Sequence, residues 1–334
     1  MFLSGLRVDR GRGRVVAGCA AVLAALGVLL WWLLPLGEPE PRGSVTFSTG
    51  VRDGVYQRYG VLLKDVLAKD LPQVDIELRT SEGSQQNLDR VASGEADFTI
   101  ATADAVAKYQ RDGKPGAEGL RGCARLYDDY VQLVVPDGSS VRKVSDLRDK
   151  RVGVGQNGSG VRLIADRLLD AAGLDPQKDI ESVPNGIDTV PQLLERGDID
   201  AFFWSGGLPT LAVQALSERY PIRLVPLEHD LIQKVHATGV PTSHYRSAVM
   251  PPDLYPLAQS GLPVNSMAVA NLLVTTDRID ADLVEGLTRT VIKSRDDIGN
   301  TVHPAQLVDL RTAIYTAPLD LHYGARGYYR SVKP

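Results

Sequence analysis

The sequence predicts an α/β protein of two similar domains behind an apolar N-terminal segment. Three observations predict it. Short apolar stretches of period two alternate with stretches of helical period, joined by short polar loops. The run RVGVGQNGSGVRLIADRLLDAAG at 151–173 holds a strand, a glycine-rich loop and the start of a helix in one piece. Two blocks, SGEADFTIATAD at 93–104 and RGDIDAFFWSGG at 196–207, share one layout: helix end, glycine, acid, x-Asp, apolar strand, small polar loop. That echo predicts an equivalent loop in each domain, both facing a shared cleft.

The elements follow in chain order. Arg7, Arg10, Arg12 and Arg14 precede an uncharged run from Val15 to Gly37, long enough to span a bilayer. Residues 1–14 then form a basic cytoplasmic tail, 15–37 a transmembrane anchor, and the remainder lies outside the cell. A cleaved signal peptide, giving a secreted or periplasmic protein, is the competing reading, although no small-x-small cleavage site stands out. Ser44–Gly50 reads as a strand, Val55–Leu71 as a helix, and Val74–Thr80 as a second strand. Ser84 is placed to cap a helix containing Leu88 and Val91. Phe98–Ala101 is a third strand, and Thr102–Asp104 opens the next helix. Arg111–Gly122 reads as a surface loop, and Ala124–Pro136 as a strand leaving the first domain. In the second domain, helices are expected near 144–150, 161–172, 189–196 and 209–216, with strands near 151–154, 180–183, 201–204 and 222–226. Asn265–Val274 is a buried strand and Asp280–Arg295 a long amphipathic helix; the segment from Thr301, rich in tyrosine, packs on the surface.

Ligands of open α/β sheets lie at the C-terminal ends of strands. Here those ends carry Thr49 and Gly50, Ser81–Ser84, Thr102–Asp104 and the 155–160 loop, all small or polar. A helix N-terminus with glycines before it is also a seat for an anion. Other chemistry lacks its residues. There is no HExxH, no GxSxG elbow and no Cys-His pairing; Cys123 stands alone and Cys19 lies in the apolar run. No metal, cofactor or catalytic residue is expected, so the protein is not read as an enzyme. A net charge of -4 without a basic-aromatic stripe speaks against nucleic acid.

Four blocks together carry a family resemblance: STGxxxGxYxxYG at 48–60, SEGSQQNLDRVASGEAD at 81–97, GxxGSG at 155–160 and DAFFWSGGLPT at 200–210. With them the chain resembles the TAXI-type solute receptors of tripartite ATP-independent periplasmic (TRAP) transporters, over roughly residues 44–310. The resemblance implies a two-lobed periplasmic-binding-protein-like fold of type II with a central ligand cleft. Lobe 1 would comprise 44–135 plus 240–334, and lobe 2 136–239. It implies a receptor that captures a small carboxylate, such as glutamate or a 2-oxoacid, or an amino acid. The partner would be a membrane permease driven by an ion gradient. The implied ligand-binding residues are Gly50 and Tyr56; Gly83, Ser84 and Asn87; Ala103 and Asp104; Ser159 and Gly160; and Trp204, Ser205 and Gly206.

This chain departs from the family pattern at Val51-Arg52-Asp53 and at Val161-Arg162. Arg52 and Arg162 are therefore candidates for a bidentate carboxylate contact, or are solvated surface residues. Asp104 suits an ammonium group rather than an anion. Tyr56 either offers its hydroxyl to the ligand or packs in its helix, and Trp204 either walls the pocket or belongs to the core. A membrane-anchored ligand sensor for a signalling partner remains the alternative function.

Overall fold

The computed structural model describes residues 22–29, 41–237 and 244–332. The chain divides into two units, Met1–Glu40 and Pro41–Pro334. In the first, residues 22–29 are helical and exposed. The expected basic tail 1–14, and the rest of the expected membrane segment 15–37, lie outside the described residues. Among the described residues no helix is long and apolar enough to cross a membrane.

The second unit begins with a βα alternation: β1 (Gly43–Ser48), α1 (Val55–Asp70), β2 (Val74–Arg79), α2 (Ser84–Ser93), β3 (Phe98–Thr102) and α3 (Ala103–Arg111). β1 is paired in parallel with β2 and β3, setting Phe47 opposite both Leu78 and Phe98. Their inward side chains Val45, Phe47, Ile76, Phe98 and Ile100 meet Tyr59, Leu63 and Leu67 of α1 in one core. After β4 (Leu120–Pro136) the pattern recurs as β5 (Arg151–Gly153), α4 (Gly160–Ala171), β6 (Glu181–Val183), α5 (Val190–Arg196) and β7 (Ala201–Gly206). α6 (Leu211–Arg219), β8 (Ile222–Val225), α7 (His229–Ala237), β9 (Tyr245–Met250) and α8 (Pro256–Gln259) follow. The chain closes with β10 (Val264–Thr276), α9 (Ala281–Lys293), the short α10 (Arg295–Gly299) and α11 (Leu310–Ala313), and α12 (Tyr323–Ser331).

All ten strands join one curled, mixed sheet of order β2-β1-β3-β10-β4-β7-β5-β6, with β8 on β4 and β9 on β10. The order is nearly symmetric. β2-β1-β3 lean on the antiparallel strand β10, and β6-β5-β7 lean on the antiparallel strand β4. β4 and β10 pair with each other from Leu120–Thr276 to Tyr130–Ala268; beyond that the end of β4 pairs with β7 and β8 and the start of β10 with β9, both in the second half. They are the continuous connection between the halves.

The two blocks that echo in sequence also echo in structure. Gly94 (φ 87°) and Gly197 (φ 74°) each end a helix in the left-handed conformation that glycine adopts without strain. The Asp97 carboxylate accepts the Thr46 amide of β1 at 2.8 Å, and the Asp200 carboxylate accepts the Arg151 amide of β5 at 2.9 Å. Each aspartate thus pins the start of its strand to the neighbouring parallel strand.

Four expectations change. β4 starts at Leu120 and absorbs the end of the expected 111–122 loop. β9 is an added strand. Tyr245, Met250, Tyr255, Val264 and Met267, expected in the first lobe, sit in the core of the second half. They do so because β9 pairs with the start of β10 and the Tyr255 hydroxyl accepts the Thr210 amide at 2.7 Å. In the C-terminal segment Tyr315 and Tyr323 are exposed, but Tyr328 and Tyr329 are buried in the first core. The Tyr329 hydroxyl donates to the Cys123 carbonyl at 3.1 Å.

Candidate functional site

A cavity of about 60 Å³ lies between the two halves, lined from both. A single buried water needs roughly 10–15 Å³, so the space suits a small solute. Val51, Gly54, Val55 and Tyr56 come from the β1–α1 loop and the first turn of α1. Glu82, Gly83 and Ser84 come from the start of α2, and Thr102 from the end of β3. The second half supplies Gly155, Gln156, Ser159, Gly160 and Val161, Gly186, and Trp204–Gly206 at the end of β7. Asp129 of β4 completes the wall.

The two halves touch across this cavity. The Gly158 carbonyl accepts the amides of Gln85 (3.0 Å) and Gln86 (3.1 Å), and the Gln85 side chain donates to the Ser159 carbonyl at 2.8 Å. The approach depends on two glycines. A Cβ on Gly83, whose φ is +127°, would stand 3.3 Å from the Ser159 Cα. One on Gly160 would stand 3.0 Å from Ser84 Oγ and 3.3 Å from Thr102 Oγ1. This is a closed arrangement of the cleft.

The donors left free face the cavity wall. An α-helix leaves its first amides without intrahelical acceptors. In α2 two of these are used by Gly158. In α1 the amides of Val55 and Tyr56, and in α4 those of Gly160 and Val161, have no acceptor among the described residues. Ser159 caps α4 with its side chain, accepting the Arg162 amide at 3.0 Å. Two helix N-termini, one from each half, therefore present unpartnered N–H groups to one small space.

A hydrogen-bonded chain closes the floor. The Tyr56 hydroxyl donates to Asn271 Oδ1 and lies 3.2 Å from Ser84 Oγ. The Asn271 amide donates to Asp129 Oδ1 at 2.7 Å. Burial, together with the charges of Asp129 and Asp104, holds the Tyr56 phenol protonated well above its ordinary range; the Ser84 bond opposes them. Burial pushes the Asp129 carboxyl up to about 7, with Asp128 and Asp104 adding repulsion and the Asn271 amide opposing.

Of the residues singled out from sequence, Gly50, Tyr56, Gly83, Ser84, Ser159, Gly160, Trp204, Ser205 and Gly206 line the cavity. Five stand elsewhere. Arg52 is exposed on the loop before α1. Arg162 turns along its helix to Asp166, four residues on, at 2.9 Å. Asn87 is buried and saturated, bonding Ser48, the Thr49 carbonyl and the Ile100 carbonyl. Ala103 packs with Leu88 and Val106. Asp104 is fully buried; it accepts the Tyr245 hydroxyl at 2.6 Å and pairs with Arg167 at 3.2 Å. Ser84 does not cap its helix: Gly83 occupies that place, and the Ser84 hydroxyl accepts the Thr102 amide at 3.2 Å. Asp129 is a lining residue that the sequence reading does not single out; its signal is the acidic pair 128–129 inside a largely buried strand.

A family model described as the NMT1-like family matches residues 47–332. The chain belongs to the NMT1-like family. Among solved structures, this NMT1-like chain is similar to a putative L-cystine ABC transporter from Listeria monocytogenes, with TM-score 0.50 and 16% identity over 80% of this chain and 98% of that one. It is similar also to a protein from Bordetella bronchiseptica RB50, with TM-score 0.50 and 16% identity over 89% and 92%. The periplasmic aliphatic sulphonate binding protein of Escherichia coli matches at TM-score 0.47 and 14% identity over 88% and 84%. At such identities the likeness is one of fold, and that fold is periplasmic-binding-protein-like. Among the described residues of the NMT1-like chain, no three His, Cys, Asp or Glu are grouped to hold a metal ion.

Proposed function

We propose that the protein is the extracytoplasmic solute-binding component of a transporter. It captures a small carboxylate between its two halves and delivers it to an integral-membrane, TRAP-type permease driven by an ion gradient, while residues 15–37 hold it at the membrane. The observation that carries this reading is the pair of helix N-termini, from opposite halves, whose free amides line one closed cavity. A solute held by both would stabilise the closed arrangement, and hinge movement would report its capture. The similar solved structures support it, since one is a putative L-cystine ABC transporter. No group in the cavity is paired as nucleophile and base, so the site holds and releases rather than converts.

The test is a thermal-shift screen of the full-length protein, shown by mass spectrometry to be free of co-purified solute, against amino acids, dicarboxylates and 2-oxoacids. A ligand specific for the folded state raises the midpoint by mass action. A saturable rise with at least one carboxylate is expected. Silence across the whole panel from well-folded protein removes the carboxylate-receptor reading.

A further inference from the structure

We propose that Asp129 is the seat of a cationic amino group, so that the solute is an amino acid bound as its zwitterion rather than a 2-oxoacid. The inference rests on the solute-receptor reading and narrows it. Its basis is the direction of the hydrogen bonds in the cavity floor. The Tyr56 proton is committed to Asn271 Oδ1, and the Asn271 amide to Asp129 Oδ1. This orientation of Asn271 belongs to the ionised form of Asp129, which only accepts, so that the amide turns its NH₂ toward it. The chain ends on Asp129, whose second oxygen has no partner among the described residues. Asp129 is 4% exposed and lines the cavity, so this oxygen is open to a donor that the solute brings.

Charge selects among donors. Among the described residues no Lys, Arg or His lines the cavity, while Asp129 and Glu82 do. Of the two sequence candidates for a counter-cation, Arg162 is held by Asp166 and Arg52 is exposed outside the cavity lining. A buried carboxylate without a cation is costly, and an ammonium group removes that cost where a neutral hydroxyl removes only part of it. Ser205 adds a second acceptor, for its buried hydroxyl in the cavity wall also has no partner among the described residues. The ammonium then meets Asp129 and Ser205, while the solute carboxylate meets the amides of α1 and α4. A 2-oxoacid offers the second contact but sets a carbonyl oxygen against Asp129. Burial raises the Asp129 pKa, the direction a carboxylate takes where no cation faces it.

Calorimetry on the full-length protein decides it, with each standard amino acid titrated beside its 2-oxo and 2-hydroxy counterparts. One amino acid should bind about tenfold or more tightly than both counterparts. Asp129→Asn should weaken that amino acid by about a hundredfold while leaving the 2-oxoacid unchanged or improved. Equal or tighter binding of the 2-oxo or 2-hydroxy acid overturns the amine seat and leaves the receptor reading standing. Silence from every probe overturns the receptor reading itself. Should the variant fail to fold, the ratio measured on the natural chain still decides.

Discussion

Asp129 sets a pH dependence that is measurable before any solute is known. An aspartate in an unfolded chain titrates at about 3.9, whereas in the folded protein its carboxyl is pushed up to about 7. Burial is the largest cause, and the acidic neighbours are Asp128 on the same strand and Asp104 on α3. The folded state thus holds this proton more tightly than the unfolded state. Its contribution to stability is whole below about pH 4 and is lost as pH rises through about 7. A separation of roughly three units at ~1.36 kcal/mol each gives a loss on the order of 4 kcal/mol, an upper value because water in the cavity weakens the desolvation. Asp129→Asn keeps the shape and the acceptor for Asn271 but cannot ionise. Thermal unfolding of both solute-free proteins from pH 4.5 to 8.5 isolates the effect, since every other titrating group is shared and cancels. The variant should gain on the natural chain by about 5 °C across that range. Parallel pH profiles would refute the reasoning, because they would mean that Asp129 is solvated or already paired with a cation.

Three further outcomes follow from the geometry. Arg167→Met leaves the fully buried Asp104 without its cation, and Asp104 Oδ1 already has no partner among the described residues; denaturant titration should show a loss of about 3–5 kcal/mol. Gly160→Ala forces Ser84 and Thr102 apart from the start of α4, so calorimetry should find solute affinity reduced by about tenfold while the unfolding midpoint moves little. Cys123 is buried and its thiol is raised by burial, so in a Cys19→Ser chain an aromatic disulfide reagent should label it only as the protein unfolds.

Much of the architecture was legible because it rests on local period. The βα units, their glycine stops and the echo between 93–104 and 196–207 all came from spacing, and Asp97 and Asp200 show why the echo persists. Contacts made by distant segments were not legible. Asp128 and Asp129 read as a polar interruption of a strand; Asp129 becomes a cavity wall only because β10 brings Asn271 beside it. Arg162 was drawn to the site by its nearness to the glycine loop, but helical period carries it to Asp166. Tyr328 and Tyr329 look like an exposed tail until α12 is seen lying along α9 over Cys123.

The crossing of β4 and β10 also bears on how the chain is made. The apolar edge of β3 is covered by residues 271–274, and Thr102 waits for Asn271 about 170 residues later. Everything the second half needs, the start of β10 included, has emerged before then. A chain appearing from its N-terminus therefore completes its second half first and carries an open strand edge until β10 arrives, with α9 and α12 still to cover the first core. Such an edge is a template for wrong pairing. A stall or truncation between residues 102 and 271 leaves that edge bare, whereas loss of a few residues after α12 does not.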